Sequence, residues 1–428
     1  MQTQFTDAQL AQPHIQQADK ILRSCVHCGF CTATCPTYVL TGDERDSPRG
    51  RIWMIRDMLQ SDSPAPAETA HHLDRCLTCL SCMTTCPSGV DYMHLVDIGR
   101  AHVEQTRTRP VMDRFVRWIL GMTVPRAQVF ALSLRAARMA RPFAGLLPKP
   151  LAAMVKLAPK TLKPLDPVGG SDAVYPADGK RVKRVALLAG CAQRAMDPEI
   201  NASTIRVLNR LGVEVVVKQA ASCCGALAHH INQQEAAHQA MRQTVSAWSE
   251  LLKDGGLDAV VVNTSGCGTT VKDYGHLLKD DPELSMTAKT LSSMAMDITE
   301  FLSSLPALPV SAPQSLKVGY HAACSLQHGQ KITDAPKLLL QRAGFQVSMA
   351  KEAHLCCGSA GVYNVLQSDL ADKLKARKLA NMNALDVDVV VAGNVGCMNQ
   401  LADGQAPVCH TVQLLDWATG GPKPAILS

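Results

Sequence analysis

The sequence predicts an α+β protein of several domains: a mainly helical N-terminal domain, then two copies of an α/β unit built on a parallel sheet. Three observations carry this expectation. The motif C-x2-C-x2-C-x3-C-P occurs twice, at Cys25 to Pro36 and at Cys76 to Pro87. Cysteine-bearing segments recur later in the chain at offsets of 133, 133 and 130 residues. Within each copy, short apolar runs alternate with longer amphipathic ones, the pattern of strands joined by crossover helices.

With 428 residues the chain has room for two or three domains and can bury a core without covalent staples. Its 17 cysteines, an odd number, therefore call for a role other than a disulfide scaffold. The opening stretch "MQTQFTDAQLAQPHIQQADK" has no basic start, no apolar run of signal length and no small-residue cleavage site, which points to a reducing, cytoplasmic setting. No stretch approaches the ~18 uninterrupted apolar residues of a membrane-spanning helix.

Residues 15–106 form the first expected domain. Its two cysteine clusters are joined by "SPRGRIWMIRDMLQ", where Ile52, Ile55, Met58 and Leu59 recur at helical spacing. The doubled motif is the bacterial two-cluster ferredoxin spacing, in which three thiolates hold one [4Fe–4S] cube and the fourth reaches across to the other. One cluster is assigned to Cys25, Cys28, Cys31 and Cys86, and the second to Cys76, Cys79, Cys82 and Cys35. Zinc ribbons use well-separated C-x2-C pairs, so a third cysteine and a C-P ending, present twice, do not fit them. Arg49 and Arg51 either stabilise the anionic clusters or cap and solvate the following helix.

Residues 107–165 read as a basic amphipathic helical connector, broken by prolines 125, 142, 148 and 150. Between 107 and 163 there are twelve Lys/Arg and one acid, Asp113, so the rest of the chain is net negative although the whole carries +6. Such a stripe suits docking at an anionic membrane or a partner subunit, with ordinary helical packing as the plain alternative. "GGSDAVYPADGK" reads as a linker.

Residues 182–305 and 316–420 are the two repeats, joined by "SSLPALPVSAPQS". Cys191 answers Cys324, Cys223 and Cys224 answer Cys356 and Cys357, and Cys267 answers Cys397. Each copy reads strand, helix, strand, helix, strand, with every one of these cysteines just past a strand's C-terminal end. That edge is where open parallel sheets bind ligands, so three loops would bring four thiols together.

The vicinal pairs "SCCGA" and "LCCGS" do not suit a disulfide, because adjacent Cα atoms lie ~3.8 Å apart and disulfides want ~4.4–6.8 Å. At a strand-to-helix turn, with Gly225 or Gly358 allowing close approach and a helix N-terminus favouring thiolates, they look like ligands to a metal or cluster. His321 and His328 flank Cys324 and are read as solvated or hydrogen-bonded loop residues before ligands or proton carriers. The same holds for His229 and His230, and Cys409 is read as a buried thiol.

As a whole the chain resembles the iron–sulfur subunit of the glycolate oxidase (glycolate dehydrogenase) complex. The likeness runs from about residue 20 to the C-terminus through "SCVHCGFCTATCPTY", "DSPRGRI", "CLTCLSCMTTCPSGV", "CCGALAHH", "NTSGCG" and "CCGSAGVYN". It implies a two-cluster ferredoxin domain followed by two CCG domains, and partner FAD subunits that oxidise glycolate to glyoxylate. This chain would pass electrons to a membrane acceptor such as quinone, from the inner face of the cytoplasmic membrane.

The same architecture is similar to iron–sulfur subunits acting on lactate and glycerol-3-phosphate, and to the catalytic subunit of heterodisulfide reductase. That last motif ends in C-x2-C, whereas Thr270 and Gln400 stand here, leaving four thiols per copy. Each copy is thus a candidate for a further iron–sulfur cluster or a zinc. No G-x-G-x-x-G follows a strand, so flavin is expected on the partners only. A nucleic-acid-binding role ranks last, because the basic stretch carries no recognisable reading motif.

Overall fold

The computed structural model describes residues 1–428 apart from 62, 160 and 312–314; part of the join between the repeats, and Lys160 of the connector, thus lie outside the described residues. Helices Pro13–Ser24, Pro48–Gln60, Ala67–Asp74 and Tyr92–Thr106 build the N-terminal domain around Leu22, Ile55, Leu73, Leu95 and Val96. The second of these starts as its sequence dictates, with Pro48 in the first turn and the Ser47 hydroxyl accepting the Gly50 N–H at 2.9 Å. Ile52, Ile55, Met58 and Leu59 all face the core. The cysteines sit on the short segments between these helices.

The first repeat is a five-stranded sheet of β1 (Ala173–Tyr175), β2 (Lys183–Leu188), β3 (Val213–Val217), β4 (Ala259–Val262) and β5 (Ala295–Asp297), in the order β1-β3-β2-β4-β5. The second is a four-stranded sheet of β6 (Lys317–His321), β7 (Gln346–Met349), β8 (Val389–Ala392) and β9 (Val408–His410), in the order β7-β6-β8-β9. All pairings are parallel except β1 on β3. Two expectations are corrected here. The stretch read as a linker contributes β1, which covers the edge of β3, and each copy gains a further strand, β5 or β9, beyond the three foreseen. Cys409, on β9, is buried as expected.

Most of the first sheet's valines and leucines, on the face lined by helix Glu199–Arg210, share one apolar core with Val318, Tyr320, Leu340, Val389, Val391 and Leu414 of the second repeat. Helix Glu199–Arg210 lies along helix Thr411–Ala418, where Arg206 and Arg210 both pair with the buried carboxylate of Asp416.

The connector forms helices Val111–Thr123, Ala127–Ala140 and Lys149–Lys156. One side is buried through Val116, Leu120, Leu134 and Val155. The other leaves Phe115, Trp118, Leu132, Met139, Phe143 and Leu146 exposed among Arg114, Arg126, Arg135, Arg138 and Arg141. Arg109 and Arg117 turn inward, to Asp74, Glu104 and Asp113. No helix among the described residues is long and apolar enough to cross a membrane.

Candidate metal centres

In the N-terminal domain the eight motif cysteines gather around two small cavities. Cys25, Cys28, Cys31 and Cys86 border one, together with Cys82; Cys35, Cys76, Cys79 and Cys82 border the other. Each set is completed by a cysteine from the opposite motif, because the loop after each helical turn carries its fourth cysteine away toward the neighbouring cavity.

Buried cations surround the second set. Arg51 is 1% exposed. Its Nε donates to the His72 carbonyl at 2.8 Å, Nη2 donates to Thr37 Oγ1 at 3.1 Å, and Nη1 lies 3.9 Å from Cys35 Sγ. Asp46 gathers Arg51, Arg75 and His72 around one buried carboxylate. Arg100 donates to the Cys76 carbonyl at 2.6 Å. Burial opposes ionisation of Cys76, but Arg51 and Arg100 outweigh it and hold the thiol below its ordinary range. Cys79 and Cys82 are pushed well above that range by burial, then by neighbouring thiols. Packed thiols of this kind ionise together when a cation shares the site. Arg51 is thus not a solvated capping residue; Arg49, paired with Glu44 and beside Gly29, borders the first set.

The repeats bring their own thiols together at the C-terminal edges of the sheets. In the second copy Cys324 and Cys356 Sγ lie 3.7 Å apart, and Cys357 and Cys397 Sγ 3.5 Å apart. In the first, Cys191, Cys223, Cys224 and Cys267 border the same cavity, and the Cys191 and Cys224 thiols are pushed well above their ordinary range by the neighbouring Cys223 and Cys267 thiols and by burial. Gly225 and Gly358 have φ of +78° and +89°, and a Cβ there would stand 2.9 Å from the Ala237 carbonyl oxygen and 2.6 Å from that of Ala371. The close approach expected of these glycines is present. The helix expected after each pair is not general: a short one, Ala226–His230, follows Gly225, but a turn follows Gly358.

Thr270 and Gln400 sit one helical turn beyond Cys267 and Cys397, where Thr270 Oγ1 donates to the Gly266 carbonyl and Gln400 Oε1 accepts from Asn364. His229 is hydrogen-bonded, to Asp97 at 3.1 Å and Gln234 at 3.3 Å, and His328 bonds Thr84 and the His354 carbonyl. His321 departs from the loop reading. It closes β6, is 2% exposed, and burial pushes its imidazole down to about 3.

A cavity of about 390 Å³ lies between the repeats, the N-terminal domain and the connector. Its walls carry Cys191, Cys223, Cys267, Cys324 and Cys397, with His229 and His230 beside them and Leu120, Phe130, Leu134 and Leu157 of the connector as an apolar roof. The connector's packing face therefore belongs to the site, which the basic pattern of the sequence did not reveal. Cys79 and Cys356 share one apolar cluster with Leu77, Leu370 and Leu374, and Cys324 packs against it.

The profile of a 4Fe-4S dicluster domain matches residues 21–90, and that of a cysteine-rich domain matches residues 185–272 and 318–402. The glycolate oxidase iron-sulfur subunit of Escherichia coli (strain K12) is 40% identical over 98% of this chain and 99% of its own length. The chain belongs to the glycolate oxidase iron–sulfur subunit family. A second member, the probable glycolate oxidase iron-sulfur subunit of Bacillus subtilis (strain 168), is 29% identical over 93% of this chain and 94% of its own. Lactate utilization protein A of Geobacillus kaustophilus is 27% identical over 50% of this chain and 88% of its own. In fold the family member described here is similar to a hypothetical protein from Helicobacter pylori, with a TM-score of 0.55 at 10% identity over 97% of this chain and 74% of that one. Membership in a family of oxidoreductase subunits, with a dicluster domain, supports an iron–sulfur electron-transfer role.

Proposed function

We propose that this chain carries electrons from partner FAD subunits, which oxidise glycolate to glyoxylate, to a membrane acceptor such as quinone. The observation that carries the reading is the near-continuous series of thiol sets. Cys25, Cys28, Cys31 and Cys86 adjoin Cys35, Cys76, Cys79 and Cys82, and Cys79 in turn packs beside Cys356. The first eight would hold two [4Fe–4S] clusters, which supply one-electron steps; the eight repeat cysteines would hold a further cluster or a zinc in each copy. The chain's own residues insulate these sets, and Arg51 and Arg100 offset their negative charge. The exposed apolar and arginine-rich face of the connector supports docking to an anionic membrane surface, and the apolar cavity beneath it offers room for an acceptor.

The test is a Cys28→Ser/Cys79→Ser variant assembled with its partners. Glycolate should still reduce flavin while reduction of the acceptor is lost; unimpaired acceptor reduction would sink the proposal. Lactate is the second substrate reading, favoured by the half-chain likeness to lactate utilization protein A. Comparing glycolate with lactate as the reductant of the purified complex decides between them.

A further inference from the structure

The two repeats share the order of their four parallel strands and the placement of their cysteines after the strands, but differ at a buried position beside the thiols. His321 ends β6, and 133 residues earlier stands Leu188, an apolar residue buried in the first repeat's core. A ring nitrogen of His321 and the Sγ atoms of Cys357 and Cys397 lie within 4.8 Å of one another, and all three residues are buried. His321 Nε2 is buried without a hydrogen-bond partner. A buried ring nitrogen ordinarily finds a partner, so one left orphaned within reach of two thiols points to a ligand.

The thiols beside it are paired at distances that a common metal would set. Two thiolates ~2.3 Å from one tetrahedral metal stand about 3.8 Å apart, close to the 3.5 Å of Cys357 and Cys397 and the 3.7 Å of Cys324 and Cys356. Both separations are far beyond a disulfide's ~2.05 Å.

We propose that the second repeat holds a mixed thiolate–imidazole metal centre with His321 as its nitrogen ligand, while the centre of the first repeat is ligated by thiolates alone. This rests on the reading that the repeat cysteines bind metal. Sulfur and imidazole donors suit iron in a cluster and zinc alike. In the iron case, replacing a thiolate by a neutral imidazole raises the potential, as at histidine-ligated [2Fe–2S] centres. The second repeat would then draw electrons from the adjoining Cys79 set.

The experiment uses the full chain, purified anaerobically, as wild type, His321→Leu, His321→Cys and Cys357→Ser. Iron and zinc are counted, and the ligands are read by pulsed electron paramagnetic resonance for iron and by X-ray absorption at the zinc edge for zinc. The wild type should show a directly bound imidazole nitrogen that is absent from both His321 variants. His321→Leu should lose the metal of one centre, about four iron or about one zinc per chain, while His321→Cys keeps it in an all-sulfur shell. The signals of the N-terminal domain report in each variant that the chain is folded. An all-sulfur second centre in the wild type, or unchanged metal and spectra in His321→Leu, overturns the inference. If Cys357→Ser also leaves metal content unchanged, the reading of the repeats as metal sites fails as well; if only Cys357→Ser loses metal, that reading stands and His321 alone is excluded.

Discussion

The two repeats present the same sheet edge to the N-terminal domain but meet it by different chemistry. The first docks through polar groups: His94 bonds Asp273 at 3.2 Å, His229 bonds Asp97 at 3.1 Å, and Gln17 meets His276 at 3.4 Å. The second docks mainly through the apolar cluster around Leu77, Cys79, Cys356 and Leu370, with two polar contacts at its margin, Tyr363 Oη donating to the Arg75 carbonyl at 3.0 Å and Thr84 Oγ1 meeting His328 Nδ1 at 2.8 Å. Apolar packing places Cys79 of one domain beside Cys356 of the other, the contact that the proposed electron path would use.

The sharpest way to break this contrast is to remove one thiol from each copy. Cys356→Ser should slow acceptor reduction in the assembled complex by about tenfold or more, whereas Cys223→Ser should leave it within about twofold. Equal losses would show that both copies carry the current. Next in size are the paired glycines. Gly358→Ala and Gly225→Ala should each cost about 1–3 kcal/mol in denaturant unfolding, with the larger loss at Gly358, where the carbonyl lies nearer.

The smallest effect concerns the polar dock. Burial opposes protonation of His94, but Asp273 and Asp91 outweigh it and raise the group from 6.5 to about 10. A raised value means that the stabilisation is complete below pH 6.5 and fades as pH rises toward 10. His94→Gln should therefore melt about 2–4 °C below wild type at pH 6, with the gap closing through pH 10 in thermal scans. A gap independent of pH would locate the effect elsewhere.

Much of this contrast could not be read from the chain. The doubled ferredoxin motif, the repeat offsets and the strand-end position of every repeat cysteine were legible, because each is a local pattern with a fixed spacing. β1 was not, since "AVY" is three residues long and becomes a strand only by pairing with β3. The connector's apolar stripe was visible, but its partner was a cavity assembled from three other regions. His321 looked like a loop residue because Cys324 follows so closely. Its burial comes from β6 lying between β7 and β8, which is a property of strand order and not of the local sequence.

One core runs through both sheets and packs the two repeats against each other. A fragment cut at the join would expose the inner faces of Val185, Leu187 and Val261 on one side and of Val318, Val389 and Leu414 on the other. Metal counts on an isolated repeat would then describe a sticky, half-built sheet. Because the repeats share that core, their metal inventories are best taken by point substitution within the intact chain.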